Sequence, residues 1–310
     1  MLIDFISARQ GEFAALLTAF FWTITALAFE SASKKVGSLS VNLIRLVLAF
    51  VLLTSFSWVA RGVAFPTDAS THNWVWLSLS GLVGFVLGDL FLFRAYVVVG
   101  ARISMLIMSL APPIAALIGW IALGEHLNLR QGFGMILTFV GIAVVILRRE
   151  YSDPEQTNGT RKRIKFSYPI AGLLLAFGGA LGQGGGLVLS KYGMGDYNVV
   201  SAVQIRVITG VVGFTALFFI LNRWNALSEA LKNKKAMGRL SIGAFFGPFL
   251  GVSFSLWAVK FTSTGVASAI MSIVPVLIIP ASWLIRREKI TFKELVGPII
   301  AICGVFMFFL

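Results

Sequence analysis

A stretch of about sixty residues, Gly84 to Ile142, recurs in the same chain as Gly247 to Val305. An offset of 163 residues carries Gly84 onto Gly247, Gly88 onto Gly251, Phe91 onto Phe254 and Ala95 onto Ala258 without a gap. The register then takes Ser109 onto Ser272, Pro112 onto Pro275, Trp120 onto Trp283, Glu125 onto Glu288, Gly134 onto Gly297 and Gly141 onto Gly304. Shared hydrophobicity does not hold Gly, Pro and Glu in step over such a length. The chain is an internal duplication, and whatever it folds into must be built twice.

The medium follows from composition. Of the 310 residues, 57% are hydrophobic and 13% charged, too apolar for a water-soluble domain of this size to bury. The apolar runs, at about 13–32, 41–60, 74–97, 102–123, 131–148, 169–190, 199–221, 240–260, 265–285 and 295–310, are each near the length that spans a bilayer as a helix. They are too long and too uniform for barrel strands. The expected fold is an all-α integral membrane protein of ten transmembrane helices. Arg9, the run from Phe13 and Ala26-Leu27-Ala28 follow the order of a cleavable secretory signal. The run is long enough to span, however, and 170–189 is its counterpart in the second half, so it is read as a span.

Residues 149–168, with Pro154, Asn158, Gly159 and a charge cluster, form the one stretch resembling a linker. It divides the chain into repeats at 1–148 and 169–310. Five helices per repeat is an odd number, so the second copy enters the membrane from the opposite side. Two inverted-topology five-helix repeats are the construction of many secondary transporters.

The net charge of +13 does not indicate nucleic acid, because the basic residues sit in loops flanking apolar runs. That placement fits anionic lipid headgroups and control of topology. One set of loops, from Lys34 and Lys35 through Arg148 and Arg149 to Lys293, carries 18 Lys and Arg; the other carries five. The imbalance puts the 149–168 loop in the cytoplasm and both termini outside. Cys303, alone within the last run, excludes a disulfide framework and a cysteine metal site. No metal or cofactor is expected. The lone His72 and His126 have no partner motif, and no nucleophile elbow or phosphate loop occurs.

Asp89 is the leading functional candidate. A carboxylate deep in an apolar run is costly and normally faces a bundle interior or a wet cavity. It either couples protons or pairs permanently with a cation. Arg94, five positions on, points away from it on an ideal helix, leaving Arg45 and Arg206 as better partners. Arg45, near its helix start, is expected to snorkel toward the interface; Arg206 sits deeper, beside Gln204.

Gly182, Gly184, Gly185 and Gly186 around Gln183 weaken a helix by about 1 kcal/mol each relative to alanine. The segment is either a hinge, with Gln183 offering its amide to a ligand, or a close-packing surface. Gly84 and Gly88, like Gly247 and Gly251, let a neighbouring backbone approach. Pro112 and Pro275 are expected to kink the fourth and ninth helices. Ser109 and Ser272, one turn earlier, either bond back to the helix or contact substrate. With Trp22 and Thr25 on the first helix and Trp257 on the eighth, the expected substrate contacts are Trp22, Thr25, Asp89, Arg94, Ser109, Gln183, Gln204, Arg206, Trp257 and Ser272. Glu125 and Glu288 are expected to cap the ends of helices four and nine.

The runs Ala95–Pro112 (AYVVVGARISMLIMSLAP), Gly124-Glu125-His126-Leu127 and Gln131–Gly141, with their copies Ala258–Pro275, Arg287-Glu288-Lys289-Ile290 and Gly297–Gly304, resemble the EamA domain, from the ten-helix branch of the drug/metabolite transporter superfamily. The resemblance covers essentially the whole chain in two copies. It implies inverted repeats around a central cavity and movement of small metabolites such as amino acids, commonly outward, across the cell membrane by a monomer or homodimer. Arg45 and Arg206 match the arginine often found early in each repeat's second helix. Two features depart from the pattern. Arg287 stands where Gly usually precedes the Glu, and the family places both termini in the cytoplasm, opposite to the charge count. The competing readings need features the sequence lacks: an intramembrane enzyme needs paired catalytic groups, and a channel needs a filter-like polar ring. A scaffold or lipid-binding protein would tolerate Asp89→Asn.

Overall fold

The computed structural model describes residues 9–123, 129–149, 164–166, 168–262, 264–286 and 292–307. Most of the inter-repeat loop, Glu125, His126, Arg287 and Glu288 lie outside them. In the first repeat the helices are α1 (Gln10–Val36), α2 (Ser38–Arg61), α3 (Thr71–Val98), α4 (Gly100–Met108), α5 (Ala111–Leu123) and α6 (Leu129–Ile146). The second contains α7 (Ile170–Met194), α8 (Val199–Leu221), α9 (Trp224–Lys232), α10 (Lys234–Phe261), α11 (Thr264–Met271), α12 (Val274–Arg286) and α13 (Phe292–Phe306).

Seven helical segments among the described residues are long and apolar enough to cross a membrane: α1, α2, α3, Gly100–Ile121, α7, α8 and α10. At the other three expected positions stand the shorter helix α6, the broken pair α11 and α12, and α13. Two features escaped the periodicity. Leu147–Arg149 and Ile164–Phe166 pair as short antiparallel strands β1 and β2, closing the inter-repeat loop at its base. Trp224–Lys232 forms a short amphipathic helix where only a loop was expected, with Trp224 packed on Phe218 and Phe219.

The duplication is visible in local irregularities as well as in helix order. Leu82–Gly88 within α3 and Phe245–Gly251 within α10 are both π-helical, at positions related by the sequence offset. Each inserts the widened turn that often marks a functional site. Helix four breaks at Ser109-Leu110 and helix nine at Ser272-Ile273, again equivalent positions. The prolines do not kink these helices. Pro112 and Pro275 occupy the second position of α5 and α12, where a missing N–H costs nothing, so they start new helices instead.

The repeats interlock through contacts that only glycine permits. A Cβ built on Gly182 of α7 would lie 2.4 Å from the Cα of Gly88, and one on Gly186 would lie 3.0 Å from the Cα of Gly84. α1 lies against α10 at the equivalent glycines, but there they receive side chains, Gly251 that of Trp22 and Gly247 that of Thr25. Helix one of each repeat thus packs on helix three of the other.

A third crossing fixes the symmetry. Gly141 of α6 abuts Ala301 of α13, and Gly304 of α13 abuts Thr138 of α6, with the Thr138 hydroxyl donating to the Ala301 carbonyl at 3.3 Å. Ala301 is the counterpart of Thr138 and Gly304 that of Gly141, so the repeat relation exchanges the two contacts. As the index rises along α6 it falls along α13, so equivalent helices cross antiparallel about a two-fold axis.

The glycine run in α7 is continuous helix, and its outer members are packing residues. Gly182→Ala is therefore expected to destabilise the protein by about 1–3 kcal/mol, because backbone meets backbone there. Gly185→Ala, whose new Cβ would find its nearest neighbour at 3.6 Å, is expected to be neutral or stabilising by up to about 1 kcal/mol. Thermal unfolding of the two purified variants in detergent compares them directly.

Candidate functional site

Asp89 follows the π-helical turn of α3, which alters the helix register just before it. Its carboxylate accepts a hydrogen bond and ion pair from the Arg45 guanidinium of α2. Arg45 is only 4% exposed, so it does not snorkel. The expectation fails because α2 enters the bundle with polar partners already in place. Arg45 Nε donates to Asn42 Oδ1 at 3.0 Å, and the Asn42 amide donates to the backbone carbonyls of Ser38 and Asp89, each at 3.2 Å. The guanidinium also lies over Phe93, 4.6 Å from the ring centroid, a contact that favours a desolvated cation. Arg206, the equivalent residue on α8, stacks on the opposite neighbour Phe85 at 4.6 Å. It is buried and electrostatically coupled to Asp89 without pairing with it.

This cluster borders a cavity between the repeats that has two adjoining lobes. The larger is bounded by Asp89, Arg45, Thr25, Phe85, Phe93 and Tyr96, with Gly247, Pro248 and Val252 from the second repeat. The smaller is bounded by Ser109 and Ala111 at one helix break and by Ser272, Val274 and Pro275 at the other. Trp22, Gln183, Met105 and Met108 line both lobes. Trp22 and Gln183 are themselves equivalent, 161 residues apart like Arg45 and Arg206. Each repeat therefore contributes one residue from its first helix to the waist between the lobes.

The structure brings together Trp22, Thr25, Asp89, Ser109, Gln183, Ser272 and Pro275. Ser272 bonds back to the Ser268 carbonyl at 2.9 Å, whereas the buried Ser109 hydroxyl has no hydrogen-bond partner. Of the glycines expected to hinge, Gly184 reaches the lining, while Gly182, Gly185 and Gly186 lie on α7 faces turned to α3 and α5.

Four expected substrate contacts line neither lobe: Arg206, behind Phe85, and three that lie farther off. Arg94 is exposed on α3, as its five-residue spacing from Asp89 implies. Trp257 is 44% exposed and stacks on Phe261. Gln204 is fully buried but donates to Thr54 Oγ1 at 2.9 Å and to the Ala64 carbonyl at 2.7 Å, tying down the connection after α2. That connection is also held by Arg61, which pairs with Asp68 at 2.6 Å. The Tyr197 hydroxyl donates to Asp68 at 2.8 Å, and this bond, with the Arg61 guanidinium, keeps the exposed carboxyl below its ordinary range.

Several residues in and around the cavity carry little or no mark in the sequence. Asn42 and Ser268 are small polar residues in apolar runs, a signal shared with many residues that only bond to their own helix. Phe85, Phe93, Tyr96 and the methionines carry no signal separable from ordinary core. Glu30, 2% exposed and paired with Lys34 at 2.6 Å, is a second carboxylate within a spanning helix and was detectable on the same grounds as Asp89. Among the described residues no three His, Cys, Asp or Glu side chains gather as a metal site.

Residues 9–147 and 170–310 each match the model of the EamA-like transporter family. The chain belongs to that family. It is accordingly a multi-pass integral membrane protein of a transporter family. It is similar to an uncharacterised membrane protein of Saccharomyces cerevisiae, 21% identical over 219 residues, covering 68% of this chain and 52% of that protein. The chain thus spans about half the length of this curated relative. A solved crystal structure superposes with a TM-score of 0.62 at 18% identity, covering 97% of this chain and 96% of the other, a likeness of fold.

Replacing Asp89 with Ala would leave the Arg45 guanidinium buried and without its counter-ion, at an expected loss of about 3–5 kcal/mol. The double replacement Arg45→Met with Asp89→Leu is expected to recover most of that stability, since apolar substitutes for a buried pair are commonly tolerated. Unfolding midpoints in detergent measure both; an unchanged midpoint in Asp89→Ala would show that the pair is not desolvated.

Proposed function

We propose that the protein is a secondary transporter of small organic metabolites, amino acids or related solutes, working by alternating access. The observation that carries this reading is the placement of the cavity. It lies between the two repeats, is lined by equivalent residues from each, and is bordered by the Arg45–Asp89 pair. The antiparallel crossing of α6 and α13 supports ten spans in two inverted repeats, an arrangement in which rocking one half against the other moves the opening across the bilayer.

Asp89 is the coupling residue of this proposal. Its carboxylate holds Arg45 in one state, and protonation or substrate binding releases that hold in another. Arg206, stacked on Phe85 beside Arg45, is the alternative cation. Trp22 and Gln183 form the substrate contacts at the waist, with Thr25 in the larger lobe. The basic face, carrying Lys34, Lys35, Arg239 and the inter-repeat loop, lies in the cytoplasm against anionic headgroups of the cell membrane.

Purified protein in liposomes is expected to take up members of a broad amino-acid and metabolite screen, with a rate that changes when a pH gradient is imposed. Asp89→Asn, which keeps a hydrogen-bonding side chain beside Arg45, is expected to lower that rate on the order of tenfold or more while the protein still elutes as a folded species. If folded protein moves no solute in the screen, the proposal fails; if Asp89→Asn transports at the full rate, Asp89 has no coupling role.

A further inference from the structure

The two faces of α1 do different work. Trp22, Thr25, Ala26 and Phe29 turn to the cavity between the repeats. Phe20, Ile24, Leu27 and Ser31 recur at the helical spacing of another face and line a separate groove, completed by Arg239 and Ile242 of α10 and by Leu277, Pro280 and Ala281 of α12. Ala28 and Ala281 lack the bulk to fill the recess, and Phe20 and Ile242 remain half exposed beside it. The groove crosses the seam between the repeats, since α1 belongs to the first and α10 and α12 to the second.

One end of this groove is cationic and the rest is apolar. Gly243 of α10 meets Phe29, Gly247 meets Thr25 and Gly251 meets Trp22, so α10 runs antiparallel to α1 and Arg239 lies level with Ser31. There the exposed Arg239 guanidinium donates to the Ser31 hydroxyl. That bond uses one of the five guanidinium N–H groups, and the hydroxyl that accepts it keeps its own proton to donate. Lys35 and Lys235, both exposed, stand one turn farther out on the same faces of α1 and α10, four residues from Ser31 and from Arg239. No Asp or Glu lines the groove. Away from this end the lining is apolar except for Thr23, whose hydroxyl is bonded to the Ala19 carbonyl at 2.9 Å. The eleven residues from Ser31 back to Phe20 rise about 16 Å, close to half of the roughly 30 Å hydrocarbon core. The groove is as long as one leaflet is deep.

We infer that this groove is a binding site for an anionic phospholipid. The phosphate is held by Arg239 and the Ser31 hydroxyl, with Lys35 and Lys235 beside it, and one acyl chain lies along Leu27, Ile24 and Phe20. A planar guanidinium presents the paired donors that suit phosphate oxygens, and basic pockets between membrane helices commonly take anionic headgroups. A zwitterionic lipid brings a second, positive headgroup charge that the same cations repel. The assignment narrows the headgroup contact proposed above to one site. It requires neither transport nor a particular side of the membrane.

The test titrates three lipids into delipidated protein in a non-ionic detergent and counts bound molecules by native mass spectrometry. They are dipalmitoyl phosphatidylglycerol, phosphatidylcholine with the same chains, and dihexanoyl phosphatidylglycerol. The first long-chain phosphatidylglycerol is expected to bind at least about tenfold tighter than either of the others. Arg239→Gln is expected to abolish its advantage over phosphatidylcholine. Lys232→Gln, which removes an exposed cation of α9 that does not line the groove, is expected to keep it. Ala28→Phe and Ala281→Phe fill the recess from two different helices, and each is expected to weaken phosphatidylglycerol by about tenfold; misfolding of one leaves the other to decide. Equal binding of the three lipids, or undiminished binding in both alanine variants, overturns the site. So does a dimer that these two variants separate, because the occupant is then a second copy of the chain. Equal losses in Arg239→Gln and Lys232→Gln overturn the site while leaving the general headgroup contact standing, and the uptake screen decides transport independently of all three.

Discussion

Backbone-to-backbone approach at glycine is the contact on which the architecture depends. In hydrocarbon, helices gain little by hiding apolar surface from one another, so association comes from close packing and interhelical hydrogen bonds. Such approaches set Gly182 on Gly88, Gly186 on Gly84, and Gly141 and Gly304 on α13 and α6. Each joins one repeat to the other. These two seams and the α1–α10 crossing hold the halves together, and the cavity lies between them, reaching the breaks of α4–α5 and α11–α12.

The scaffold is symmetric and its chemistry is not. The π-helical turns, the helix breaks and the paired arginines recur in both halves. Asp89, however, is matched by Val252, Gln183 by Trp22, and Ser268 by Met105. Asp89 thus pairs with one of the two equivalent arginines, Arg45, and not with the other.

Much of the fold was legible in the sequence because duplication preserves residues whose backbone role admits no substitute. Gly84, Gly88, Pro112 and their copies marked the close contacts and the helix starts, although proline was read as a kink when it opens a helix. The depth of Asp89 marked the site, because the cost of a buried charge depends on position along a span and not on tertiary detail. What was not legible depends on which way a side chain faces. Gln204 and Gln183 look alike as polar residues in apolar runs, yet one braces a connection and the other lines the cavity. The pairing of Arg45 could not be read from its distance to a helix end, since Asn42, Phe93 and Asp89 are brought to it by three separate elements. Trp257 and Trp22 likewise differ only in the face they occupy. Ten spans were expected from composition, and seven meet the length and apolarity of a crossing helix among the described residues.

The central claim is that the second repeat lies the opposite way up from the first. The connection after α2 and its counterpart before α10 should then face opposite sides of the membrane. Single cysteines at Thr67 and at Asn233, in a Cys303→Ala background, can be labelled in intact cells with a membrane-impermeant maleimide. Labelling of one position, with the other reacting only after the membrane is opened, is the expected result. Labelling of both from the same side would contradict it.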